Sequence, residues 1–152
     1  MRPPRESGCA YLDVRFPRST ASRIGARARR AHNSVVRRTV LVVDDHSGFR
    51  ETARRMLESD GFEVVGEAED AATGLGAARR LEPEIALVDV YLPDLDGFEL
   101  ASRLAALDSP PAVVLTSSRE RGEFELLLDR SSARGFVPKH ELCGEALEEL
   151  LP

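Results

Sequence analysis

The sequence predicts an α/β fold, a doubly wound five-stranded parallel sheet with helices on both faces, and three observations carry that expectation. Short unbroken apolar runs, such as Val40-Leu41-Val42-Val43 and Ile85-Ala86-Leu87-Val88, have the pattern of strands buried on both faces. They alternate with stretches of helical periodicity joined by short links, and such βαβ units close through right-handed crossovers onto a parallel sheet. The runs also end in polar residues, Asp44, Asp89 and Thr116 among them, at the strand ends where the ligands of such sheets gather.

Taken in order, residues 40–43 form the first strand, closed by the acidic pair Asp44-Asp45. Ser47 is placed to cap a helix to about residue 59 that carries Phe49, Ala53, Met56 and Leu57 on one side, and Gly61 stops it. Residues 62–66 give the second strand, and Asp70 caps a helix through Leu81 that Gly74 and Gly76 weaken. Pro83 breaks the chain before the third strand, 85–88, which runs into Asp89. Asp96 caps a helix over 98–107, and Pro110-Pro111 lead into the fourth strand, 112–115, ending at Thr116. A helix around 122–130, a short fifth strand at 135–137 and a terminal helix over 142–151 complete the pattern.

With 152 residues, 42% of them hydrophobic and 31% charged, the chain has material for one core. No apolar stretch approaches the roughly eighteen residues of a membrane span. Aromatic content of 5% without tryptophan argues against a stacking surface for sugars or bases. The two cysteines, Cys9 and Cys143, lack the paired spacing of a zinc ribbon or a disulfide scaffold and fit a reducing compartment, so the expected location is cytoplasmic.

Charge divides the chain near Thr39. Residues 1–38 hold ten arginines against two acids, a net of +8, whereas 39–152 hold eleven basic and 24 acidic residues, a net of −13. The first segment reads as a disordered arginine-rich N-terminal extension and 39–152 as the folded domain. Nucleic-acid contact, targeting and association with the acidic domain are roles open to the extension. No apolar segment follows its arginine pairs, so no secretory or twin-arginine signal is read, and the plain alternative is a solvated extension or a start site set too far upstream.

The chemistry lies at the carboxyl ends of the strands. Asp44 and Asp45 follow the first strand, Asp89 the third, Thr116 the fourth and Lys139 the fifth. Three carboxylates on one edge cannot all stay ionised without a counter-charge, and their oxygens suit a hard cation, Mg²⁺ or Mn²⁺. A carboxylate so screened is a competent nucleophile toward phosphorus, which points to an aspartyl phosphate on Asp89, with Lys139 and Thr116 binding the transferred group. Lys139 is the sole lysine in a chain with twenty arginines, which suggests a place that needs a compact ammonium. Blander readings exist: Asp44 and Asp45 as helix caps, Thr116 as an ordinary strand end, Phe136 as core, and Asp94, Asp96 and Gly97 as turn and cap. His46 reads as facing the loop, since its neighbours already supply oxygen ligands.

These residues resemble the receiver domain of bacterial two-component response regulators. The likeness spans 39 to about 151 and rests on Val-Val-Asp44-Asp45-His46, on Leu87-Val88-Asp89 through Pro93-Asp94-Leu95-Asp96-Gly97, on Leu115-Thr116-Ser117 and on Gly135-Phe136-Val137-Pro138-Lys139. The Asp-Asp-His opening and Val64-Val65-Gly66-Glu67-Ala68 are most similar to receivers that carry a helix-turn-helix output. The resemblance implies a flavodoxin-like strand order 2-1-3-4-5 and a phosphorylation switch rather than an enzyme. Asp89 is then the phosphoacceptor, and Asp44, Asp45, Asp89 and the backbone carbonyl of Tyr91 form the Mg²⁺ site. Thr116 and Lys139 complete the catalytic set, while Thr116 and Phe136 act as the switch, the ring turning inward behind the threonine. Tyr91 and Ser118 are expected to tune the lifetime of the phosphoryl group. A sensor histidine kinase or a histidine phosphotransfer protein is the expected phosphodonor, a downstream protein the reader, and a second copy of the chain a candidate partner; no membrane and no nucleic acid are expected.

Only about fourteen residues follow the fifth strand, so the expectation is a stand-alone receiver with no output domain in the chain. Alternatives are a degenerate receiver serving as a phosphorylation-independent interaction module, or nucleic-acid binding through the arginine-rich extension. All five site residues expected of a working receiver are present, which argues against the first. A phosphatase of the haloacid-dehalogenase type would need an acid two residues beyond the nucleophile, where Tyr91 stands.

Overall fold

A computed structural model describes residues 36–152, so all but the last three residues of the extension read over 1–38 lie outside the described residues. The elements are β1 (Thr39–Val43), α1 (Ser47–Ser59), β2 (Glu63–Ala68), α2 (Ala71–Leu81), β3 (Ile85–Asp89), α3 (Gly97–Ala105) and β4 (Ala112–Ser117). A 3₁₀ turn, Arg121–Phe124, leads into α4 (Glu125–Asp129); β5 (Gly135–Pro138), a second 3₁₀ turn (Lys139–Glu141) and α5 (Gly144–Leu150) follow. All neighbouring strands are parallel, in the order β2-β1-β3-β4-β5, as the alternating pattern and the resemblance implied.

The apolar runs are unbroken because each strand feeds two cores. Leu41, Val43, Ala86, Val88, Val113 and Leu115 face α2 and α3, whereas Val40, Val42, Ile85, Leu87 and Val114 face α1 and α5. Fully burying a leucine or valine contributes about 1.5–3 kcal/mol, so these alternating rows drive the sheet together and leave no solvated face. Register then sets the chemistry. Val43 pairs with Val88, Asp89 with Thr116, and Thr116 with Val137, so the polar residues that end the strands arrive at one edge.

Several element ends differ from expectation. α1 takes His46 rather than Ser47 as its N-cap, with no side-chain cap, because the chain leaves β1 through an Asp44 turn that already holds the His46 N–H. β2 extends to Ala68, paired with Val43 after a register shift between Val40 and Leu41. The helix expected over 122–130 is a 3₁₀ turn and a five-residue α4, since Phe124 drops into the core and breaks the helical path. α5 is shorter than 142–151, yet it is secured at its start and its middle: the Gly144 N–H donates to Asp60 Oδ2 at 2.7 Å, and Leu147 is fully buried. Among the described residues, no helix is long and apolar enough to cross a membrane.

Two glycines answer to close approach. A Cβ on Gly74 would stand 3.0 Å from both γ-carbons of Val43, so the residue that weakens α2 also lets it lie against β1. A Cβ on Gly97 would meet the Asp89 carbonyl oxygen at 2.5 Å and the Val90 Cα at 2.9 Å. Gly97→Ala is therefore expected to cost about 1–3 kcal/mol of stability by overpacking, measured by urea unfolding. An unchanged midpoint would show that the β3–α3 connection yields without strain.

Candidate functional site

Asp44 is fully buried at the end of β1. Its N–H donates to the Ala68 carbonyl at 2.9 Å, extending the ladder by one residue, so the carboxylate is aimed by sheet geometry. Oδ1 accepts the His46 N–H at 2.8 Å, and Oδ2 lies 2.7 Å from the Lys139 ammonium. Arg50 on α1 holds the same turn from behind, donating from Nη1 to the Asp44 carbonyl at 2.7 Å and from Nε to Glu67 on β2 at 3.1 Å. Arg54 donates to the other Glu67 oxygen at 2.8 Å, and that hydrogen bond is the main reason the Glu67 carboxyl is held below its ordinary range.

Asp89 ends β3 and is also buried. Its Oδ1 accepts the Tyr91 N–H at 3.2 Å, and its Oδ2 stands 3.6 Å from Lys139 Nζ. Burial, and next the charge of Asp44, push its pKa from near 3.8 up to about 6, against the pull of Lys139 and the Tyr91 N–H. One lysine does not compensate the acids gathered here. Asp45 is exposed, and ligand atoms of Asp44, Asp45, His46 and Asp89 all lie within 4.8 Å of one another. This donor set, rich in carboxylate oxygen and short of positive charge, fits a hard divalent cation.

The connection after β3 is pinned from outside the cluster. Asp96 caps α3, its Oδ1 accepting the Glu99 N–H at 2.8 Å. Asp94 reaches across to α2, accepting the N–H groups of Ala71 at 2.9 Å and Ala72 at 3.0 Å. Those backbone hydrogen bonds hold its carboxyl below the ordinary range. Tyr91 pairs in an isolated antiparallel bridge with Asp96, and its half-exposed ring lies beside Phe124 and the Arg119 guanidinium.

Four of the expected site residues meet at one edge of the sheet. Asp44, Asp45, Asp89 and Lys139 come together, but the Thr116 hydroxyl is turned away and donates to the Val137 carbonyl on β5 at 2.6 Å. Phe136 is buried, its ring 5.4 Å from that of Phe124. His46, read as facing the loop, has Nδ1 3.4 Å from Asp44 Oδ1 and 3.3 Å from Asp45 Oδ1. Arg50 carried no sequence signal and Asp94 only that of a turn, because their contacts depend on which elements meet in space.

The family model of the response regulator receiver domain matches residues 40–150. BvgA of Bordetella pertussis is 37% identical over 108 residues, covering 71% of this chain and 52% of BvgA. The transcriptional regulatory protein PdtaR of Mycobacterium tuberculosis is 30% identical over 127 residues, covering 78% of this chain and 62% of PdtaR. The chain spans about half the length of the curated relatives it first matches. Among solved structures, the signal receiver domain of NarL from Mycobacterium tuberculosis superposes with a TM-score of 0.70 at 30% identity, over 76% of this chain and 96% of that one. The response regulator domain of Thermotoga maritima CheB, 24% identical, shares the fold with a TM-score of 0.66 over 76% and 94% of the two chains.

The raised pKa means that the folded chain keeps a proton on Asp89 that the unfolded chain has released. Stability from this group is thus present below about pH 4 and lost as the pH rises through about 6. Asp89→Asn, which removes the repulsion, is expected to stabilise the chain by about 1–2 kcal/mol at neutral pH without divalent cations, and to do nothing comparable below about pH 4. Thermal unfolding across pH checks this, and equal melting temperatures of the two proteins at neutral pH would contradict it.

Proposed function

The chain belongs to the response regulator receiver domain family, and on that footing we propose that it is a phosphoacceptor of two-component signalling, with Asp89 as the residue that takes the phosphoryl group. What supports this reading is one arrangement: the carboxylates of Asp44, Asp45 and Asp89 within 4.8 Å of one another, with the Lys139 ammonium 2.7 and 3.6 Å from two of them. A sensor histidine kinase or a histidine phosphotransfer protein is the donor. An oxygen of Asp89 attacks phosphorus, the P–O bond forms as the P–N bond of the donor phosphohistidine breaks, and the electron pair returns to the imidazole nitrogen.

Asp44, Asp45 and Asp89, with the backbone carbonyl of Tyr91, would hold Mg²⁺ or Mn²⁺, which supplies neutralising charge for the phosphoryl oxygens. Asp44 and Asp45 provide the charge that keeps a cation at this edge. Lys139 trades part of its contact with Asp44 and Asp89 for a phosphoryl oxygen, a charge-assisted bond. The Thr116 hydroxyl leaves the Val137 carbonyl to donate to another. That exchange frees a buried carbonyl on β5 and couples the phosphoryl group to the strand carrying Phe136. Moving such a two-state element from mostly off to mostly on takes about 5.5 kcal/mol of differential binding, within reach of a few charge-assisted bonds. A downstream protein reads the change, and the site of action is the cytoplasm.

Incubated with Mg²⁺ and acetyl phosphate, the protein should gain one phosphoryl group by intact mass, and Asp89→Asn should gain none. Labelling of the variant at the wild-type stoichiometry would assign the phosphoacceptor to another residue.

A further inference from the structure

Resting on the phosphoacceptor reading, we propose that Phe49 is a positioning residue for Lys139: the face of its ring holds the ammonium beside the acidic cluster while the carboxylates turn to a cation and a phosphoryl group. Lys139 Nζ lies 4.5 Å from the centroid of the Phe49 ring, 2.7 Å from Asp44 Oδ2 and 3.6 Å from Asp89 Oδ2. Two of these three anchors are carboxylates of the candidate cation site, so their charge is drawn off when that site fills. The ring is the anchor that filling leaves in place, and its negative face attracts a cation within about 6 Å of the centroid.

Its placement is set by α1. Phe49 is half-buried and packs against the core shared by α1 and α5, and the next residue, Arg50, ties the helix to the Asp44 carbonyl at 2.7 Å. The ring therefore moves with the carboxylate that Lys139 shares. Packing alone would accept a leucine at position 49, whereas only an aromatic face adds attraction for the ammonium. The flexible stem of a lysine needs such a third contact more than a planar guanidinium would.

Because Lys139 is the sole lysine, the full chain grown on ¹³C,¹⁵N-lysine reports this side chain alone. In Mg²⁺, its ε-methylene protons should be shifted upfield by the ring in the wild type and return to ordinary positions in Phe49→Leu. Replacing Phe49 by mono-, di- and trifluorophenylalanine drains the negative face with little change of shape. Across that series the Lys139 ε-methylene should grow steadily more mobile, and affinity for beryllofluoride, a phosphoryl mimic, should fall by about three- to tenfold in all. An ε-methylene whose mobility is unchanged across the series overturns the proposal and leaves Phe49 as packing. Failure of the wild type to bind beryllofluoride counts against the phosphoacceptor reading instead, and the lysine signal then judges Phe49 by itself.

Discussion

Three carboxylates crowded onto one edge of a parallel sheet, with a single lysine among them, are the constraint around which this structure is arranged. Such a cluster works against folding, since two of its members are buried and Asp89 titrates near 6 as a result. It survives because the hydrophobic cores on both faces of the sheet hold the strand ends in register, whatever the charges at those ends prefer. The same excess of negative charge makes the edge receptive to a divalent cation. The feature that costs stability is thus the one proposed to supply chemistry, as is common where perturbed carboxylates gather at functional sites.

The connections around the edge are tied down by groups that take no part in the cluster. Arg50 anchors the turn after β1 through Asp44 and Glu67, Asp94 fastens the connection after β3 to the start of α2, and Asp60 fastens α5 to the end of α1. These contacts fix the backbone around the edge at three places. The Thr116 hydroxyl, bonded to the Val137 carbonyl, and the Lys139 ammonium, shared between two carboxylates, are the groups that the proposed phosphoryl transfer would redirect.

Much of this was legible in the sequence because the signals are local. An apolar run closed by an acid marks both a buried strand and a placed carboxylate, which is how Asp44 and Asp89 stand out, and the singularity of Lys139 marks the third partner. Element ends were less legible. Ser47 is a good capping residue by chemistry, but the turn at Asp44 brings His46 to that position; Phe124 gives up helical continuity for burial. Apolar character alone does not separate core from surface in this stretch: Leu126 and Leu127 are exposed, while Phe124 beside them is buried. The contacts of Asp94 with Ala71 and of Asp60 with Gly144 span 23 and 84 residues, beyond any pattern that periodicity carries. The direction of the Thr116 hydroxyl and the depth of Phe136 are likewise tertiary outcomes: a residue type places a group on a strand end without saying which neighbour it will bond.

The most direct test is a crystal structure of the chain with Mg²⁺ and beryllofluoride. The expected complex has the beryllium on an oxygen of Asp89, with Lys139 Nζ bonded to one fluorine and the Thr116 hydroxyl turned from the Val137 carbonyl to another. Beryllofluoride on a different carboxylate, or bound at Asp89 with Thr116 still donating to Val137, would contradict it.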